Sequence, residues 1–244
     1  MNMFWQIRRE FAAFFYSPVA YVVIGAGALL NSVMFYLIIL FLSQSGPAPG
    51  APMEMLFSWV LFWLVVLILT PLITMRSFAE EKHSGTLETL ITAPISETRI
   101  VLAKYLSCLA FYTIMWVPTL LYPIILMRYA SIDVGPVLSG YVGTFGIGVM
   151  LTAVGILCSV ATRNQIVAAL VTFAVMMALF LGGLFRWVDG LAAQSFFEYI
   201  DLMGHMEDFA KGIVDTRRLV YYGSVAVLAI FASVQMLSSR RWNG

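Results

Sequence analysis

The chain has 244 residues, of which 61% are hydrophobic and only 11% are charged, and its formal net charge is +1. Soluble domains carry about 25% charged residues, so this chain has too few charges to cover a water-exposed surface. A cytosolic enzyme, a secreted module, a disordered protein and a nucleic-acid-binding protein are excluded, and the small net charge provides no field that would attract a polyanion. An integral membrane protein remains.

Uncharged stretches between the charged residues are long enough to cross a membrane, since about 20 apolar residues span roughly 30 Å of hydrocarbon. Helices are predicted, because an open sheet edge in lipid would leave backbone groups unpaired. The six predicted spans are 19–42, 56–75, 104–127, 137–161, 165–185 and 219–238. No internal repeat is visible, so residues 1–244 are predicted to form a single all-α membrane domain.

The residues before the first span have the pattern of an amphipathic helix that ends at Ser17-Pro18. Its apolar stripe contains Phe4, Ile7, Phe11, Phe14 and Phe15, its opposite face contains Gln6, Arg9 and Glu10, and Arg8 adds a second positive charge. Arginine and aromatic residues on one helix are typical of the headgroup plane of a membrane. Residues 1–17 are therefore predicted as an interfacial helix rather than a signal peptide, because the following apolar core is too long for a signal sequence.

Positive charges are distributed unequally between alternate loops, and the richer side of a membrane protein faces the cytoplasm. One side holds nine Lys and Arg residues, including both terminal groups, and the other side holds five. Both termini are therefore predicted to be cytoplasmic.

Residue types that could supply energy or catalysis are missing from the predicted spans. None of the spans, as drawn, is interrupted by an ionisable residue of the kind that couples a transporter to protons or ions. The chain lacks the glycine-rich G-x-x-x-x-G-K-[ST] loop that cradles ATP phosphates, so a separate ATPase subunit is predicted to hold ATP and magnesium. The two histidines, His83 and His205, do not form a zinc motif, and they are interpreted as loop or interfacial residues. No cofactor, metal or catalytic residue is predicted for this chain.

Glycine and proline residues also predict where helices pack closely and where one of them bends. Glycines crowd the fourth span, which predicts close approach of neighbouring helices. Pro118 and Pro123 predict kinks in the third span. Cys108 and Cys158 lie in apolar runs and are interpreted as small buried side chains rather than a disulfide.

Polar residues are most concentrated in the cytoplasmic segment 76–98. Within this segment, Leu87, Leu90 and Ile91 recur at helical spacing, Ser84 is a candidate N-cap, and Pro94 ends the helix. Two to three turns are too short to be stable alone in water, so this helix is predicted to dock against a partner or against the chain's own helix ends. An ordinary interfacial loop helix is the alternative.

The run Arg76-Ser77-Phe78-Ala79-Glu80-Glu81-Lys82, followed by Gly85-Thr86-Leu87-Glu88 and Thr92-Ala93-Pro94, resembles the signature of type-2 ABC transporter permeases. The resemblance covers nearly the whole chain. It implies that 76–98 contains a coupling helix in a groove of the ATPase, and that the N-terminal helix is an elbow that moves with the bundle. The implied ATPase contacts are Glu80, Glu81, Gly85, Thr86, Leu87, Glu88, Leu90 and Ile91, with Gly85 permitting a tight turn before the helix.

The segment 186–218 is too polar to span a membrane and is predicted to be an extracytoplasmic helical pair. Met206, Phe209, Ala210 and Ile213 share one predicted helix face, while Glu207, Asp208 and Lys211 lie on the other. The stretch 205–215 is similar to permeases of the gliding-motility-associated and copper-reductase-maturation branches. A possible exit gate is assigned to His205, Phe209, Gly212 and Asp215, and a plain amphipathic cap is the alternative.

These observations predict a permease subunit that exports or extracts an unidentified substrate across the bacterial inner membrane. Its expected protein partners are two copies of an ABC ATP-binding subunit and a second permease copy or a related permease. The lipid bilayer surrounds it, and an extracytoplasmic accessory subunit is a further candidate partner. The alternative is a non-transporting anchor or mechanotransmitter that acts on an extracytoplasmic partner through the same ATPase interface.

Overall fold

The computed structural model describes residues 3–45, 51–83, 85, 96–129, 132–183, 185, 197 and 199–242. These residues form helices and short connections, and no strand occurs among them. The helices are α1 (Met3–Phe15), α2 (Pro18–Ser45), α3 (Ala51–Ser58), α4 (Val60–Thr74), α5 (Arg76–His83), α6 (Glu97–Trp116), α7 (Leu121–Leu126), α8 (Val134–Ala161), α9 (Gln165–Gly182), α10 (Leu202–Ala210) and α11 (Thr216–Trp242). A 3₁₀ turn at Val117–Leu120 joins α6 to α7.

Helices of the described chain are long and apolar enough to cross a membrane in six places, which confirms the all-α membrane fold. The six segments are Pro18–Gln44, Val60–Lys82, Glu97–Leu126, Val134–Ala161, Gln165–Gly182 and Thr216–Ser239. The α1 helix precedes the first of them and ends beside Ser17, as the Ser17-Pro18 pair predicts.

Two predicted spans have different boundaries in the structure. The second span does not form one helix from residue 56, because Trp59 is extended and separates α3 from α4. The third span begins at Glu97 rather than at residue 104, since Ser96 is the residue where the backbone turns into the helix. The second span also continues to Lys82, so that with these boundaries both spans contain charged residues, which corrects the prediction of spans without them.

The α8 helix is the centre of the bundle, and 78% of its most apolar 18-residue stretch is buried inside the protein. Its glycines leave room for side chains from five other helices: Gly140 faces Phe57, Gly143 faces Phe209, Gly146 faces Tyr222, Gly148 faces Tyr112, and Gly155 faces Thr74. A β-carbon at any of these glycines would come closer than 3.0 Å to the facing side chain. Close helix packing at the fourth span is therefore confirmed.

The third span changes its helical form where the prolines predict it. The α-helix ends at Trp116, the next four residues form a 3₁₀ turn with Pro118 in its first turn, and α7 follows. Proline cannot donate a backbone hydrogen bond and clashes with the carbonyl four residues before it, which disfavours an uninterrupted α-helix here. Cys108 and Cys158 are buried free thiols, as predicted.

Candidate functional site

The α1 helix packs against the middle of α6, partly through its aromatic residues. Phe14 stacks on Phe111 with ring centroids 4.9 Å apart, and the backbone carbonyl of Ile7 accepts a hydrogen bond from Ser107 Oγ at 3.1 Å. Phe11 is partly buried against the same core. These contacts fix α1 along the side of the bundle.

The two faces of α1 are not divided as the sequence predicts. Gln6 is 4% exposed and Glu10 is mostly buried, so these polar residues face the bundle rather than away from it. Phe4 is 69% exposed, although it was placed on the apolar stripe. Arg8 and Arg9 remain exposed, with Arg8 beside the Trp5 ring. Gln6 and Glu10 thus face the bundle together with the aromatic stripe, and Glu10 lies opposite a buried cation.

That cation is Lys104, whose side chain is only 5% exposed although it lies inside the third span. Its Nζ atom contacts Glu10 Oε2 at 3.0 Å and Glu81 Oε1 at 2.6 Å, and it lies 5.2 Å from the centre of the Phe78 ring. A charge in this environment is costly unless it is paired and hydrogen-bonded. Two carboxylates therefore hold Lys104 in place, and Lys104 in turn joins α1, α5 and α6.

The ionisation of Glu10 reflects two opposing effects. Burial disfavours the charged carboxylate, but Lys104 and the adjacent Arg9, 2.9 Å away, outweigh burial and hold the pKa of Glu10 below its ordinary value of 4.5. Glu10 is therefore an anion throughout the neutral pH range.

We expect the stabilising effect of Glu10 to be lost only in acid. Because its pKa is lower in the folded state, the contribution is complete above pH 4.5 and declines as the pH falls toward the lowered value. The difference in free energy of unfolding between the wild type and Glu10→Gln should thus be constant from about pH 7 to about pH 5.5 and should shrink below pH 4.5. Unfolding titrations in detergent measure it, and a difference that persists unchanged down to about pH 3 would contradict the assignment.

The α5 helix is attached to the C-terminal end of α8 by Ser159. The backbone N–H groups of Phe78 and Ala79 donate to Ser159 Oγ at 3.0 and 3.2 Å, and Ser159 Oγ donates to the carbonyl of Met75 at 3.2 Å. The first N–H groups of a helix have no partner within the helix. A side chain from another span therefore satisfies the start of α5.

The same two helices are joined a second time at the other end of α5. Lys82 Nζ donates to the backbone carbonyls of Val160 and Thr162, with a distance of 3.1 Å to Thr162. Carbonyls at the end of a helix also lack partners, and a cation there is favoured by the helix dipole. Each helix therefore supplies hydrogen-bond partners for backbone groups at the end of the other, and the two helices are firmly joined.

A polar cavity of about 280 Å³ lies between α1, α5 and α6. Arg76 forms one wall, where its guanidinium binds Glu80 at 2.8 Å and donates to Ser17 Oγ at the end of the elbow. Ser77 Oγ contacts Cys108 Sγ at 3.1 Å on the opposite wall. Polar contacts between α1, α5 and α6 line this cavity. We call the cavity and these contacts the elbow junction.

The predicted ATPase contacts are only partly within the described residues. Glu80 is the more exposed of the two glutamates and pairs with Arg76, whereas Glu81 turns inward to Lys104. Gly85 is exposed and has a φ angle of 71°, in the left-handed region that favours glycine. The remaining contacts, Thr86, Leu87, Glu88, Leu90 and Ile91, lie outside the described residues.

On the opposite side of the bundle, α10 packs on the first turns of α8. Phe209 is fully buried against Gly143, and Ser139 Oγ donates to its backbone carbonyl. Arg218 of α11 binds both the Asp208 carboxylate and, at 2.8 Å, the carbonyl of Gly204. The helix is therefore attached to two different spans.

The residues assigned to an exit gate have different surroundings. His205 is buried with its ring 5.8 Å from the rings of Tyr221 and Tyr222, so its interpretation as a loop or interfacial histidine was wrong. Gly212 has a φ angle of 92°, and Asp215 Oδ1 accepts from the N–H of Arg217 at the start of α11. The predicted apolar face of α10 is confirmed at Met206, Phe209 and Ala210, which are buried. Ile213 is 55% exposed, because the helix ends before it.

Sequence reasoning missed the cation of the elbow junction and both attachments of α5 to α8. Lys104 was counted as a loop residue at the edge of a span. The signal that could have located it is Ser96, a favoured N-cap residue followed by Glu97, which places Lys104 two turns inside the helix. Ser159 and Lys82 carry no such signal, because a serine in an apolar run and a lysine in a polar run are both common.

Comparison with known proteins supports the architecture. A family model described as "ABC-2 family transporter protein" matches residues 28–200, more than half of the chain. None of the curated proteins matches it. The matched region includes the α5 helix and the spans attached to it. The chain therefore belongs to the ABC-2 transporter family, and it is a multi-pass membrane permease subunit of an ABC transporter.

Proposed function

We propose that this permease is driven through α5, which passes the motion of a partner ATPase to the elbow and to α8. The single observation that supports this is the set of bonds around α5, which reach α1 and α6 through Lys104 and reach α8 through Ser159 and Lys82. The predicted coupling helix follows α5 directly in the chain. A push on that helix thus acts on three parts of the bundle at once.

The motion has a physical route to the other side of the membrane. The α8 helix is buried along most of its length and holds α10 at its far end through Gly143 and Ser139. Since packed helices move as rigid bodies, displacement of the cytoplasmic end of α8 also displaces α10. This supports the proposal that His205, Phe209, Gly212 and Asp215 belong to a region that opens when cargo leaves.

The proposed assembly contains two permease copies and two ATP-binding subunits in a bacterial inner membrane, with both termini cytoplasmic. The excess of Lys and Arg on the side of the termini supports this orientation. ATP and magnesium would be bound by the partner subunits, and the cargo would be exported or extracted from the membrane. The likeness of 205–215 to the gliding-motility-associated and copper-reductase-maturation branches remains a prediction.

We expect the double replacement Leu87→Asp and Leu90→Asp to abolish co-purification of the proposed partner ATPase. Two charges would be forced into an apolar groove, where each unpaired carboxylate costs several kcal/mol. Affinity purification of the tagged permease from detergent-solubilised membranes, followed by quantification of the ATPase, measures the effect.

Thr89→Asp with Thr92→Asp provides the matched control for that experiment. It introduces the same charge on the opposite side of the predicted helix, because residues 89 and 92 are offset from residue 87 by about 200° and 140° at 3.6 residues per turn. The control should keep the ATPase bound. Equal ATPase recovery from the leucine double variant and the wild type, with normal membrane insertion, would refute the docking role.

A further inference from the structure

An apolar groove opens to the membrane along the seam between α6 and α8, in the half of the bundle away from α5. Its volume is about 410 Å³. The side chains that form its walls are Trp116, Val117 and Leu120 on one side and Leu138, Val142 and Phe145 of α8 on the other. Most of these side chains are exposed large hydrophobics on a membrane-spanning surface, so the groove is open to lipid.

The groove follows from the change in helical form after Trp116. A 3₁₀ helix is narrower than an α-helix and advances about 2.0 Å per residue instead of 1.5 Å. The 3₁₀ turn at Val117–Leu120 therefore fills less space beside α8 than a continued α-helix would. A hollow remains between the two spans, where an ordinary helix pair would be closely packed.

Every hydroxyl that lines the groove is already bonded within the protein. Tyr112 Oη donates to the carbonyl of Thr144 at 3.2 Å, and Tyr141 Oη bonds Thr119 Oγ1 at 2.9 Å. The hydroxyls of Thr113 and Thr144 donate to carbonyls one turn earlier in their own helices. The indole nitrogen of Trp116 has no accessible surface. The groove thus offers hydrocarbon alone, and only an apolar group fits it without losing hydrogen bonds.

The size of the groove selects among apolar occupants. An apolar protein cavity of about 150 Å³ takes up benzene, which has six carbons, so at the same density this groove has room for roughly 16 carbons. That is the size of one fatty acyl chain. It is too small for a transmembrane helix, whose diameter with side chains is about 10–12 Å.

The position of the groove fits a lipid whose headgroup lies at the membrane surface. The 28 residues of α8 are about 42 Å long, so roughly 6 Å at each end lies outside a 30 Å hydrocarbon layer. Leu138 is about 6 Å from the start of α8, at the edge of that layer, and Phe145 is about 10 Å deeper. Arg128 is exposed just after α7, in the connection to α8, and so lies at the same end of the two spans as Leu120 and Leu138, where a headgroup would lie.

We propose that this groove binds one acyl chain of a resident phospholipid, whose phosphate is held by Arg128. The bound chain makes contacts with α8 that a continued α-helix would make and the 3₁₀ turn does not. It thereby fills the seam between the third and fourth spans. The proposal is independent of the ATPase and concerns the chain in the membrane alone.

The test is native mass spectrometry of the purified chain in detergent, titrated with dipalmitoyl phosphatidylglycerol and with dipalmitoylglycerol, which lacks the phosphate. We expect one tightly bound phosphatidylglycerol for the wild type. Val142→Trp and Leu120→Trp fill the groove from opposite walls, and each should weaken this binding at least tenfold. Arg128→Gln should reduce the affinity for phosphatidylglycerol to that for dipalmitoylglycerol.

Val167→Trp is the matched control, because Val167 of α9 is 46% exposed and Val142 is 42% exposed. It should retain lipid as the wild type does. Equal lipid binding by the wild type and both groove variants would overturn the proposal, and so would a groove variant that changes the oligomeric mass without changing lipid binding, since a second copy would then cover the groove. Thermal unfolding identifies a variant that fails to fold, in which case the variant on the other wall decides the result.

Discussion

Replacement of Lys104 with methionine is expected to destabilise the protein by about 3–5 kcal/mol, because it leaves two inward-facing carboxylates without their shared cation. Glu10 and Glu81 would then lie close together in the elbow junction without the lysine that contacts both of them. The elbow should detach from α6, since the remaining contacts are aromatic packing and one hydrogen bond from Ser107. Reversible unfolding in mixed micelles measures the stability, and protease sensitivity of the first 17 residues measures the detachment.

The triple replacement Glu10→Gln, Glu81→Gln and Lys104→Met distinguishes an effect on stability from an effect on the transmission of motion. It removes all three charges, so it should recover most of the stability lost by Lys104→Met, as neutral replacement of buried ion pairs often does. If the pairs also transmit motion, the triple variant should fold but fail to couple ATP hydrolysis to movement of α10, measured by a distance label between α10 and α2, which the bonds around α5 do not reach. Lys104→Arg should keep both properties. A Lys104→Met variant as stable as the wild type would refute the role of the junction.

Replacement of Gly148 with alanine is expected to lower stability by about 1–3 kcal/mol, because the new methyl group overlaps the ring of Tyr112. Tyr112 is fully buried and its hydroxyl bonds the carbonyl of Thr144, so the ring has no room to withdraw. Helix propensity alone predicts the opposite result, since alanine is ordinarily favoured over glycine within a helix by roughly 0.5–1 kcal/mol. Unfolding in mixed micelles again gives the free energy.

Gly25→Ala and Gly223→Ala are the matched controls for Gly148→Ala. A β-carbon at either position meets no atom within 4 Å, so these variants should be neutral or slightly more stable than the wild type. Tyr112→Leu should make the Gly148→Ala replacement less costly, because the smaller side chain frees the space. A Gly148→Ala protein as stable as Gly25→Ala would show that α6 and α8 are not packed as described.

The α1 helix illustrates what a helix prediction leaves open. Helical periodicity correctly located α1 and its end at Ser17. It placed Gln6 and Glu10 opposite the apolar stripe, because an amphipathic pattern shows only that two faces differ in polarity. Which face turns inward depends on the partner, and here the partner is a buried lysine 94 residues away in the sequence.

The coupling segment shows a similar division between local and distant information. The motif at 76–88 indicated the family and the region proposed to contact the ATPase. It did not indicate that Lys82 and Ser159 join α5 to α8, because these contacts connect residues about 80 positions apart. Hydrogen bonds between distant elements depend on how the helices pack, and no single-sequence pattern encodes that packing.

The sequence by itself determined that this protein is a helical membrane bundle with a separate N-terminal helix, because crossing a lipid bilayer requires long apolar segments with internally bonded backbones. The tertiary structure decided where the charges lie. It brought Lys104 to Glu10 and Glu81, placed the hydroxyls of Tyr105 and Tyr112 against carbonyls of α8, and left one seam open. These outcomes depend on side chains meeting across the bundle, where each buried charge or hydroxyl must find its partner from another helix.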